Sequence, residues 1–159
     1  MRPDSLGRVE AVEAALGALA RKERTVAELR AWLAAQAFEP DVIEAAIERL
    51  RDLGQLDDGR FARRYAEDKR ELSGWGPERI ADALRERGVG AEAIVGALGS
   101  DRDAGEEAER AARLLVGRGD GLRDEVARGR AFAYLRRRGY PAEVAYDAVR
   151  RAERLRDAA

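Results

Sequence analysis

Arginine is the residue type through which this chain can act on a partner. Arg60, Arg63, Arg64 and Arg70 fall on one arc of a single helical segment, with Glu67 and Glu71 interleaved. Arg79 follows in the next segment, and Arg128, Arg130, Arg136, Arg137 and Arg138 crowd a third. A guanidinium presents five N–H donors in a rigid fork that matches carboxylates and phosphates. Two readings stand for the first group. It is either a solvated face knitted by i,i+4 pairs such as Arg63 with Glu67, each worth about 0.3–0.5 kcal/mol, or a surface that contacts a partner. The run Arg136 to Arg138 either offsets the dipole of a last helical turn or steers the chain toward acidic surfaces or phosphates.

Other chemistry is poorly provided for. The chain has no cysteine and no histidine, which excludes thiol nucleophiles, histidine acid–base catalysis and Cys/His zinc sites. Paired carboxylates occur at Asp57-Asp58 and Glu106-Glu107, but they sit at helix starts or on polar faces, where capping explains them. The break Gly117-Arg118-Gly119-Asp120-Gly121 has the composition of a phosphate cradle. No strand precedes it and no Gly-Lys-Ser/Thr follows, so it reads as a loop between helices. The aromatic residues Trp32, Phe38, Phe61, Tyr65, Phe132, Tyr134, Tyr140 and Tyr146 read as core; Trp75, between two glycines, reads as a plug at a joint or a partner contact. No catalytic, cofactor-binding or metal-binding residue is expected, and no cofactor.

Charge narrows the partner class. The 30 basic and 31 acidic residues nearly cancel, unlike the basic excess of a dedicated nucleic-acid binder. The balance is uneven along the chain: residues 1–53 carry 8 basic against 10 acidic side chains, and residues 118–156 carry 11 against 6. No stretch approaches the ~20 apolar residues of a membrane span and none resembles a signal peptide. A cytoplasmic protein without membrane contact is expected.

Helices must position these groups. Ala, Leu, Glu and Arg dominate, and apolar residues recur at helical spacing. A first helix is expected over about 9–22 with Val9, Val12, Leu16 and Leu19 as its stripe. A capping box at Thr25-Val26-Ala27-Glu28 starts a second, and a third runs from Pro40 to Leu53 with Val42, Ile43, Ala46, Ile47 and Leu50 inward. The segment from Asp57 to Leu72 follows, with Phe61, Tyr65 and Leu72 on one face and Asp57 or Asp58 as cap. Ser73-Gly74-Trp75-Gly76-Pro77 breaks it before a helix with the line Ile80, Ala83, Leu84.

The anchors Leu33, Phe38, Val42 and Ile47 recur as Leu84, Val89, Ala93 and Leu98, then as Leu135, Tyr140, Val144 and Val149, each set displaced by 51 residues. Gly88 and Gly139 match as well. Leading helices at 9–22, 58–72 and about 103–117 complete a threefold repeat. An all-α protein of three tandem three-helix repeats, 1–54, 55–99 and 100–159, is therefore expected, as an elongated array, curved or straight. Gly54-Gln55-Leu56 and Gly99-Ser100-Asp101 are the expected linkers.

Residues 15–89 and, more weakly, 131–149 resemble the RecX family, the regulators of the RecA recombinase. Leu56, Asp57, Asp58, Arg60, Phe61 and Ala62 carry the Leu-Asp-Asp and Arg-Phe-Ala pattern, and Gly76, Arg79 and Ile80 carry the Gly-X-Arg-Ile type helix; Gln55 stands where Tyr or Phe is more usual. The resemblance implies three tandem three-helix repeats. It also implies a non-enzymatic monomer that lies in the groove of the RecA–DNA filament, touches single- or double-stranded DNA weakly, and suppresses ATP hydrolysis, strand exchange and coprotease action. The alternative is a helix–turn–helix DNA-binding protein that puts a helix near 122–138 into the major groove without a recombinase.

Overall fold

The computed structural model describes residues 3–99 and 104–159. The expected linker past Gly99 and the start of the third leading helix near 103 lie outside the described residues. Nine α-helices and no strand occur among the described residues: α1 Pro3–Arg21, α2 Val26–Ala35, α3 Pro40–Asp52, α4 Asp58–Ser73, α5 Pro77–Glu86, α6 Ala91–Leu98, α7 Ala104–Arg118, α8 Glu125–Arg137 and α9 Ala142–Asp157. The all-α reading is thereby met. The chain gathers into two compact units: one takes residues through Arg64 together with Leu84–Ile94, the other Tyr65–Ala83 with Val95–Ala159.

In the first unit α1 buries Ala11, Ala15 and Ala18. Val12 and Leu19 are half-buried, whereas Val9 is 57% and Leu16 38% exposed. The expected apolar stripe is thus rotated. Alanine buries little area, but its small side chain lets Val42 and Ala46 of α3 come up against Ala11. The capping box at α2 forms, Thr25 Oγ1 accepting from the Glu28 N–H and Glu28 Oε2 from the Thr25 N–H, each at 3.1 Å. Leu29 and Leu33 of α2 meet Ile43, Ile47 and Leu50 of α3 in the core.

The second unit is built on the third repeat. Ala108, Ala111, Ala112 and Leu115 of α7 face Val144, Ala145, Ala148, Val149 and Ala152 of α9, with Ala131 and Leu135 of α8 closing the cluster. Helix α8 begins later than the sequence suggests, because Asp124 accepts the Ala127 N–H at 2.8 Å and so caps it there. In α4 the buried residues are Phe61, Ala62 and Ala66; Leu72 is 83% exposed and does not extend the Phe61–Tyr65 face, since the helix stops one residue on.

One docking device recurs in both units. The carbonyl of Arg87, just past α5, accepts a hydrogen bond from Thr25 Oγ1 at 2.8 Å, at the start of α2. The carbonyl of Arg138, just past α8, accepts from the Gly76 N–H at 2.8 Å, and Gly139 O accepts from the Glu78 N–H at 2.9 Å, at the start of α5. Residues 87 and 138, and 25 and 76, stand in the same relation within their repeats. The end of one helix offers orphan carbonyls, which the start of another satisfies with backbone N–H donors at Gly76 and Glu78 and with the side-chain hydroxyl at Thr25.

Glycine makes the approach possible. Gly88 and Gly139 have φ of +80° and +96°, and a Cβ on them would collide with Ala27 Cβ and Arg79 Cβ respectively. A Cβ on Gly76 would stand 2.5 Å from the Gly139 carbonyl carbon. The matching position in the first repeat is Ala37, a non-glycine residue that nonetheless adopts φ +65°. All three turns share the left-handed conformation, and only the first carries a side chain there.

Candidate partner-binding surface

The motif residues Leu56, Asp57 and Asp58, together with Arg87, belong to the first unit. Leu56 is buried in the core. Asp57 accepts the Arg60 N–H at 2.9 Å and caps α4, and this bond, stronger than its desolvation, holds its carboxyl below the ordinary range. Asp58 instead reaches the start of α2, accepting the Val26 N–H at 2.9 Å. Burial is the largest influence on Asp58 and pushes its pKa up. Glu28 is pulled down despite desolvation, because Arg87 clamps it at 2.6 and 3.0 Å and the Thr25 N–H adds a third donor. The Arg87 guanidinium lies 4.5 Å from the Phe61 ring centroid.

The arginines separate by environment. Arg60, Arg63 and Arg64 are exposed on the first turns of α4. Arg60 donates to Gly54 O at 3.0 Å and Arg64 approaches Glu23 at 3.5 Å, whereas the pair of Arg63 with Glu67 expected from spacing does not form. Arg70 leaves this arc: its side chain is 16% exposed and contacts Glu107, itself 4% exposed, at 2.7 Å. It also donates to Leu98 O at 3.3 Å. Its neighbour on the surface is therefore the protein itself.

In the second unit Arg79 stacks 4.3 Å from the Trp75 ring centroid, with Lys69 at 4.6 Å on the same ring. Trp75 is half-buried between them, which fits the plug reading. Arg128 pairs with Glu153 at 3.2 Å, and Arg136 with Glu78 at 3.2 Å and with Tyr140 O at 2.6 Å. Arg138 donates to Tyr134 Oη at 3.1 Å. Arg130 and Arg137 are exposed without an ion pair among the described residues. The five α8 candidates thus do not form one free face.

A second cationic group escaped the sequence reading. Arg123, Arg150, Arg154 and Arg156 line an open groove between the α7–α8 loop and the C-terminal half of α9, with Glu153, Asp157 and the backbone of Gly119 and Gly121. The signal was present in the net positive charge of residues 118–156 and the i,i+4 spacing of Arg150 and Arg154, but it needed the loop to bring Arg123 alongside. Among the described residues no cluster of His, Cys, Asp or Glu is fit to hold a metal ion, and no helix is long and apolar enough to cross a membrane.

The described residues thus form an all-helical chain with several arginines on its surface. Residues 11–50 match the family model for RecX, first three-helix domain, and residues 57–98 that for RecX, second three-helix domain. Among curated relatives, the regulatory protein RecX of Deinococcus radiodurans is 37% identical over 142 residues, covering 89% of this chain and 67% of that one. That of Mycolicibacterium vanbaalenii is 38% identical over 144 residues, covering 82% and 76%; that of Xanthomonas citri is 39% identical over 130, covering 81% and 79%. The crystal structure of RecX from Lactobacillus salivarius superimposes with a TM-score of 0.81 at 21% identity, over 94% of this chain and 98% of that one. The chain belongs to the RecX family, and the fold and regulatory class expected from the sequence are those of its relatives.

Proposed function

We propose that the chain binds the RecA–DNA filament and restrains ATP hydrolysis, strand exchange and coprotease action, acting as a cytoplasmic, monomeric regulator and not as an enzyme. The observation that carries this reading is the match of two successive three-helix domains to the RecX family. The exposed trio Arg60, Arg63 and Arg64, whose carboxylate contacts are few and long, supports α4 as a contact surface. Three modules, 1–54, 55–99 and 100–159, joined on one chain let several weak contacts act at high effective concentration along successive protomers of a filament. The alternative, α8 as a recognition helix, is weakened by the engagement of Arg128, Arg136 and Arg138 within the protein.

The test is DNA-stimulated ATP hydrolysis by the cognate RecA as this protein is titrated in. Hydrolysis falls if the reading holds; a rate that stays constant at every ratio removes it. Substituting Arg60→Glu, Arg63→Glu and Arg64→Glu together weakens inhibition while the helical circular-dichroism signal is kept, and full inhibition by that variant assigns the contact elsewhere.

A further inference from the structure

Helix α1 carries more apolar surface than the first unit's core takes up. Ala11, Ala15 and Ala18 hold the interior, so Val9 and Leu16, two turns apart on one edge of the helix, stay 57% and 38% exposed. At Leu16 that edge meets a cleft of about 370 Å³ whose lining includes Leu19, Leu56 and Phe61. Leu19 and Leu56 also belong to the first unit's core, so the floor of the cleft is the core's own edge. Arg24, Arg60 and Arg64 line it as well. Of these three, only Arg64 has an ion pair among the described residues, a long one of 3.5 Å to Glu23. Arg60 donates to Gly54 O, and Arg24 Nε is buried with no acceptor among the described residues. The other carboxylate in the lining, Asp57, is engaged as the cap of α4 through the Arg60 N–H.

We propose that this cleft binds an acidic segment of a partner protein that carries a bulky apolar side chain. The apolar side chain covers Leu16 and enters beside Leu56 and Phe61, taking apolar surface out of water. Carboxylates next to it meet Arg24, Arg60 and Arg64, whose planar forks match them. The anchor supplies most of the affinity, and the rim charges steer and orient the segment. A phosphate backbone has no side chain to lay on such a floor. The ring in the lining, Phe61, is 5% exposed with the Arg87 guanidinium 4.5 Å from its centroid, so it offers bases no stacking platform. The site rests on the reading of α4 as a contact surface and names the chemistry met there. A free peptide tests it, so that a chain that restrains ATP hydrolysis yet ignores the peptide loses this site alone.

The experiment is fluorescence anisotropy of a labelled peptide, a Leu-Phe pair flanked on both sides by glutamates, titrated with the full chain. Binding saturates. Replacing the Leu-Phe pair by Ser-Ser lowers affinity about tenfold or more, the worth of one buried apolar side chain. Replacing the glutamates by glutamines lowers it about two- to fivefold for each ion pair lost. Leu16→Ser with Arg64→Gln, both at exposed positions, lowers affinity about tenfold while the helical circular-dichroism signal is kept, whereas the exposed Arg49→Gln on α3 leaves it unchanged. No saturable binding by the unmodified chain overturns the proposal. So does equal binding of the Ser-Ser peptide, which leaves only charge attraction, or equal binding by the double variant. Displacement of the peptide by an oligonucleotide at matched ionic strength also overturns it and assigns the cleft to nucleic acid.

Discussion

Asp58 stands 32 residues beyond Val26 and accepts its backbone N–H at 2.9 Å, so a carboxylate at the head of α4 completes the cap of α2. Thr25 satisfies one orphan donor of that helix and Asp58 another. Asp58→Ala therefore removes an acceptor from a half-buried N–H and lowers stability by about 1 kcal/mol, while Asp58→Asn keeps the acceptor and costs less. Urea denaturation of the two variants side by side checks the order.

The same cluster titrates in two directions. Glu28 has its folded pKa below the ordinary 4.5, so its contribution is present above that value and is lost as pH falls below it. Asp58 is pushed above its ordinary 3.8 by burial, so it favours folding below that value and opposes it as pH rises through the raised pKa. Glu28→Gln flattens the acid limb of the stability curve, and Asp58→Asn steepens it. Thermal denaturation followed across the acid range should show the two variants departing from the parent in opposite senses.

Arg70 and Glu107 form an ion pair with side chains 16% and 4% exposed. Removing one partner strands the other, and Arg70→Ala costs about 3 kcal/mol, the low end of what such breakage does, because Arg110 stays 3.1 Å from Glu107. Arg70→Met combined with Glu107→Leu recovers most of the loss. A double-mutant cycle in denaturant measures both.

Backbone conformation supplies a further pair of outcomes. Ala37→Gly relieves a left-handed alanine and raises stability by about 0.5–1 kcal/mol. Gly139→Ala forces Arg79 and the α5 start away and lowers the melting temperature by much more than Ala37→Gly raises it. Differential scanning calorimetry reads both.

The repeat was legible because burial imposes periodicity. Leu33, Leu84 and Leu135 are each fully buried, and their spacing could be read without coordinates. The face of α1 was not, since Ala11, Ala15 and Ala18 carry no stronger apolar signal than the exposed Val9 and Leu16. The exposed trio on α4 followed from helical phase alone. Arg70 could not be told from it, because Glu107 lies 37 residues away and no local spacing marks that pairing. The groove of Arg123 with α9 was hidden for the same reason, being made by a loop's return and not by one helix.

The left-handed alanine at position 37 bears on how such a chain can lengthen by gene duplication. In the later copies the corresponding residue lacks a Cβ, and that vacancy is what admits the preceding copy's helix start. An additional copy inserted upstream would meet a methyl group at that spot. A helix start docked at position 37 in the manner seen at Gly88 and Gly139 would need glycine there.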